Sequence, residues 1–187
     1  IKAGYKTKGV PLYFEGGIFN SADMVDHNVW NRALTYGVKA NYTAGYGLRP
    51  EVAFMSRVPG GTGNGIRVNQ WNASLSWTYG RFFAEGEYIY RHYTGDSHKP
   101  SHAYNFFVDY GIPVNWRMAD KLSFQARLDG ISDASNGIRQ SDGTLATTID
   151  GHRRITAGAT ASRTVGKLYC AFRLNYEQYF YGHTENT

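Results

Sequence analysis

The side chains able to do chemistry in this chain are ionic, and they recur at alternate positions of otherwise apolar stretches. Lys39, Arg49, Arg57, Glu85, Glu87, Arg91, Asp109, Arg127, Asp129, Arg154, Arg173 and Glu177 all fall on one parity of their segments. Guanidinium and ammonium groups facing water concentrate anions, and interleaved carboxylates set a field across an aqueous path. The same residues can also act only as ion pairs that stiffen a wall. Catalysis is not expected: Glu85 and Glu87 share one strand face, whereas a glycosidase sets two carboxylates across a sugar.

Other candidate motifs carry less. His27, His92, His98, His102, His152 and His183 lie in or beside expected loops without the spacing of a zinc site, and are read as solvated. Asp133, Asp142 and Asp150 are read as ordinary loop acids rather than Ca²⁺ ligands. The stretch at 59–65, PGGTGNG, resembles a phosphate-cradling loop, but no helix pattern follows it. No cofactor and no metal are expected.

What positions the ions is an alternation of period two, the period of a strand. In KLYCAFRLNYEQYF (167–180), Leu168, Cys170, Phe172, Leu174 and Tyr176 oppose Tyr169, Ala171, Arg173, Asn175 and Glu177. The same pattern predicts strands over 1–7, 12–19, 30–43, 48–57, 68–79, 82–92, 104–116, 122–129 and 154–162, ten in all with 167–180. Composition agrees: 16% aromatic residues and 22 glycines suit strands and tight turns. No run reaches the roughly 18 apolar residues of a membrane helix, and a mean hydropathy of -0.47 leaves a barrel with a polar lumen open. The net charge of +5 comes from basic residues spread singly among 15 acids, so nucleic acid is not an expected partner. Cys170, the one cysteine, sits on the apolar parity, where a buried or lipid-facing thiol is expected.

The predicted connections alternate, short near 9, 46, 80, 118 and 165 and long near 25, 62, 98 and 140, as in outer-membrane barrels. The apolar parity carries no charge mid-strand; Arg32 and Arg67 share it only near long-loop ends. Placing the ion-bearing parity in a dry core would cost several kcal/mol per ion. The reading is therefore all-β: an antiparallel transmembrane β-barrel with lipid outside and water within. Trp30, Tyr42, Trp77, Tyr79, Tyr90 and Trp116 suit its interfacial girdles. With short turns in the periplasm, both ends fall on the extracellular side. That predicts a single-domain piece of a longer barrel, sixteen strands with five before Ile1 and one after Thr187.

Three passages carry a resemblance: LYFEGGIFN (12–20), DKLSFQARLDG (120–130) and RITAGATASRTVGKLYCAFRLNYEQYF (154–180). They resemble the C-terminal part of trimeric outer-membrane porins of Bacteroidota, akin to the phosphate-selective porin family. The resemblance implies a sixteen-stranded homotrimeric channel of the bacterial outer membrane, passing small hydrophilic solutes or anions past a ladder of arginines and lysines. Here the polar parity departs from such a ladder, because acids are interleaved with the bases. Two other readings stay open on the residues alone: a barrel enzyme of lipase or acyltransferase type, and a soluble β-sandwich or lipocalin-like binder.

Overall fold

The computed structural model describes residues 1–20, 34–57, 67–94, 100–132, 138–139, 145–146 and 151–181. Its strands are β1 (Lys2–Lys6), β2 (Leu12–Asn20), β3 (Leu34–Tyr42), β4 (Leu48–Arg57), β5 (Val68–Tyr79), β6 (Phe82–Tyr93), β7 (Ser101–Pro113), β8 (Lys121–Ile131), β9 (Ile138–Arg139), β10 (Leu145–Ala146), β11 (His152–Val165) and β12 (Leu168–Tyr181). Ten form one sheet in the order β1-β2-β3-β4-β5-β6-β7-β8-β11-β12, each antiparallel to its neighbours, while β9 and β10 pair only with each other. The all-β antiparallel expectation holds, with ten strands as read. The sheet is open: β1 and β12 are its two edges, so closure into a ring is not a property of these residues. Trp30, Arg32, the 59–65 glycine stretch, His27, His98, His183, Asp133, Asp142 and Asp150 lie outside the described residues.

Local sequence explains the tight reversals. Gly80 and Gly166 take positive φ (58° and 62°), and Arg81 and Lys167 after them do not, the pattern of a type II′ hairpin turn whose twist suits the strands it joins. Between β3 and β4 a single turn of 3₁₀ helix, Gly45–Gly47, places Tyr46 and Gly47 at positive φ. Gly47 backs onto the Thr78 carbonyl so closely that no Cβ would fit. The β7–β8 connection corrects the reading. Strand β7 starts at Ser101 and stops at Pro113, not Trp116, and the chain then closes on itself, Val114 N donating to Asp120 O at 2.9 Å and Trp116 N to Ala119 O at 3.1 Å. Connections 94–100 and 114–120 are thus equally long, and alternation of lengths is clear only at the other turns.

Register joins like parity to like across the sheet. One row of opposed residues runs Lys6, Tyr13, Asn41, Glu51, Ser74, Glu87, Asn105, Asp129, Arg154, Tyr179. The next apolar row runs Tyr5, Phe14, Ala40, Val52, Ala73, Tyr88, Tyr104. A one-residue slip in any pair would have mixed the two faces. The polar row also climbs: Asn41 is next to the short-turn end of β3, Arg154 near the long-loop end of β11. A steady stagger of this kind is what strand tilt in a barrel requires.

Burial is inverted relative to a water-soluble domain. Among the described residues the buried apolar side chains are Val68 and Ala119, whereas Thr35, Asn41, Ser56, Ser101, Thr156, Thr160 and Ser162 are buried. The large apolar residues are exposed, Phe172 at 73% and Leu174 at 70%. A sandwich needs a second layer over its apolar face. The described residues supply none.

Candidate functional site: the ion-bearing face

The ionic residues named from the sequence share one face of the sheet, because each lies on the parity that the register links. They group by strand pair. On β8, β11 and β12, Asp129 accepts from two guanidiniums, Arg127 Nε at 2.5 Å and Arg154 Nε at 2.9 Å. Arg154 reaches on to Glu177 (3.7 Å) and donates to the Tyr179 hydroxyl (3.4 Å), which itself donates to Glu177 at 3.1 Å. The guanidinium carbon stands 5.8 Å from the Tyr179 ring centre. Asp129 is the best shielded of these ions, its side chain 18% exposed. Hydrogen bonds to such charged groups contribute about 1.5–3 kcal/mol each.

Toward the other edge, Glu51 gathers Lys39 Nζ (4.0 Å), Arg49 Nη2 (3.6 Å) and the Asn41 amide (3.3 Å). Glu15 takes Lys2 at 2.8 Å and the Tyr13 hydroxyl at 2.8 Å. In the middle a polar relay links Arg91 to Gln70 (3.3 Å), Gln70 to Asn72 (3.0 Å) and Asn72 to Glu87 (3.0 Å). Arg173 donates to Thr160 at 3.2 Å, and Gln125 to Asn175 at 2.9 Å. Arg57, Glu85 and Asp109 stand on this face but outside these clusters. Exposed pairs of this kind add at most about 1 kcal/mol apiece. Their main effect is to fix charge positions along a water-facing surface.

Not among the site residues expected from the sequence are Tyr179 and the Gln70–Asn72 pair, which link ions, and Tyr13 and Asn41, which each donate to one carboxylate. Each of them lies on the parity that the register links to the ions.

The opposite face carries two aromatic bands. At the long-loop end Tyr36, Phe54 and Trp71 adjoin (6.2 and 4.4 Å between ring centres), and Tyr90 lies 5.1 Å from His102. At the short-turn end Trp77 adjoins Tyr79 (6.0 Å) and Phe82 (5.6 Å) and donates to the Tyr46 carbonyl at 3.0 Å. Between them lie Val38, Val52, Ala73, Leu75, Ala84, Val108, Ala126 and Ala157. From Phe82 to Tyr90 is about 27 Å along the strand. Strand tilt shortens that to roughly 20 Å, close to the apolar band of an outer-membrane barrel, about 25 Å. Of the expected girdle, Tyr42, Trp77, Tyr79 and Tyr90 sit on this face near strand ends; Trp116 is in the 114–120 turn.

His92, His102 and His152 lie beside the long connections as expected, at the ends of β6, β7 and β11, and Tyr88 Oη lies 2.5 Å from His102 Nδ1. The apolar parity also takes Arg153, opposite Phe180, and Arg163, opposite Cys170, besides Arg67. Each sits at a strand end: Arg163 Nε is 3.9 Å from Asp120, and Arg67 lies 5.1 Å from the Tyr36 ring centre while donating to Ser56 Oγ and the Leu34 carbonyl. Long basic side chains at such positions can carry their charge toward water. Mid-strand, the face remains free of charge among the described residues. Compared with known proteins, the chain matches no family model, no characterised protein and no solved structure.

Proposed function

We propose that the chain forms part of the wall of a β-barrel channel in a bacterial outer membrane, a porin through which small hydrophilic solutes or ions diffuse passively. One observation carries the reading: large apolar side chains cover the exposed face while small polar ones are buried and the ions line the other side. In water that arrangement leaves far more contiguous apolar surface than a soluble monomer tolerates. With lipid against the apolar face and water against the ions, the mid-strand apolar side chains and the ions each meet their preferred solvent. In the ten-stranded sheet, every strand but β1 runs nine to fourteen residues, reaching the length that a tilted membrane strand needs, about 9–11 residues. The climbing register supplies the stagger of a closing sheet.

On this reading Lys39, Arg49, Arg57, Glu85, Glu87, Arg91, Asp109, Arg127, Asp129, Arg154, Arg173 and Glu177 line the aqueous path, no cofactor is used and no bond is made or broken. Homotrimeric assembly and membership among Bacteroidota porins are supported by the sequence resemblance alone. The test is planar-bilayer recording of the full-length protein under a salt gradient. Discrete ohmic steps with a reversal potential set by the ions support a channel; a protein that stays in the aqueous fraction without detergent and leaves the bilayer silent sinks it.

A further inference from the structure

At the long-loop end of the ion-bearing face, rings and ion pairs form one surface. Tyr179 and Tyr181 stack with centres 6.1 Å apart and planes 12° apart, and the His152 ring lies 6.3 and 5.9 Å from them. Beside them is the cluster of Arg127, Asp129, Arg154 and Glu177. A depression of about 360 Å³ opens there, its lining including Glu87, Asn105, Asp129, Arg154 and Tyr179. That lies at the small end of ligand-site volumes, roughly 300–1,000 Å³.

The chemistry of this surface selects against a simple ion. The depression's lining sets two guanidiniums, Arg127 and Arg154, with two carboxylates, Glu87 and Asp129, so it carries no net charge to attract an anion or a cation. It instead offers fixed donors and acceptors side by side, the complement of vicinal hydroxyl groups, each of which donates and accepts. The tyrosine rings offer flat apolar faces in water, which cover the C–H face of a saturated ring that hydroxyls cannot solvate. We propose that this surface is a binding subsite for an uncharged carbohydrate, a pyranose ring lying on Tyr179 and Tyr181 with its hydroxyls on Arg154, Asp129 and Glu177. The proposal rests on the channel reading and names the solute class that this mouth would favour.

The experiment uses the full-length protein with maltotetraose as probe, in two arms. In bilayers, the sugar should interrupt the ion current reversibly. In detergent, saturation-transfer NMR should detect its binding without any need for a channel. Replacing Tyr179 and Tyr181 together by Ala should weaken both signals tenfold or more, and Tyr179→Phe should retain most of the binding, since the ring face is kept. Current steps without interruption or binding would overturn the sugar site and leave the channel standing. Binding without current would keep the site and sink the channel. Interruption by phosphate but not by sugar would overturn the proposal in favour of an anion site.

Discussion

Arg154 Nε donates to Asp129 Oδ2 across the β8–β11 pair at 2.9 Å, and the same carboxylate holds Arg127 at 2.5 Å. Two cations therefore share one half-buried anion, and the effect of removing each member differs. Asp129→Asn leaves Arg127 and Arg154 facing each other with no charge between them, while Arg154→Gln leaves Asp129 still paired to Arg127. Asp129→Asn is expected to lower unfolding stability by about 1.5–3 kcal/mol and Arg154→Gln by less. Urea titration of folded protein in detergent or lipid vesicles measures both.

The turns offer a cleaner backbone test. Gly47 and Gly80 both have positive φ, but a Cβ at Gly47 meets the Thr78 carbonyl, while one at Gly80 meets open space. Gly80→Ala is expected to cost about 1–2 kcal/mol, the strain of a left-handed residue. Gly47→Ala should cost more, because steric conflict adds to that strain.

Charge placed on the wrong parity should be penalised by depth. Leu174 lies midway along β12, opposite Ala159. Leu174→Arg is expected to cost about 2–4 kcal/mol in a bilayer, and Asn175→Arg, one residue on but facing the ions, no more than the loss of its hydrogen bond from Gln125, about 1 kcal/mol. Equal costs for the two would contradict the assignment of faces.

Ion preference should follow the bases of the ion-bearing face. Replacing Arg127 and Arg173 by Gln removes two positive charges from the ion-bearing face, and the reversal potential under a salt gradient should move toward cation preference. The shift should shrink in concentrated salt, where the screening length falls to about 3 Å at 1 M.

Much of this was legible in the sequence because a period of two is a local property. Arg173 between Phe172 and Leu174 declares both faces of β12 without any partner strand, and the same holds for Arg127 between Ala126 and Leu128. What depends on register was not legible. That Asp129 also reaches Arg154 on β11, or that Glu51 also reaches Lys39 on β3, follows from the register, whereas the same-strand pairs Arg127–Asp129 and Arg49–Glu51 are two residues apart in the sequence. Strand ends were also misplaced on β7: it stops at Pro113, where a hydrogen-bonded turn takes over from the ladder, and it starts at Ser101 rather than Tyr104. The short β9–β10 hairpin, two residues per strand, is too brief for periodicity to register.

The most direct measurement is a cysteine scan along β12 in the full-length protein reconstituted in lipid, in a Cys170→Ala background. Single cysteines at 172, 174 and 176 and at 173, 175 and 177 are exposed to a membrane-impermeant charged thiol reagent. Modification should alternate, fast at 173, 175 and 177 and blocked at 172, 174 and 176 until the vesicles are dissolved and the chain unfolded. Fast modification at 172, 174 and 176 with protection at 173, 175 and 177, or uniform reaction at all six, would contradict a wall with lipid on one side and water on the other.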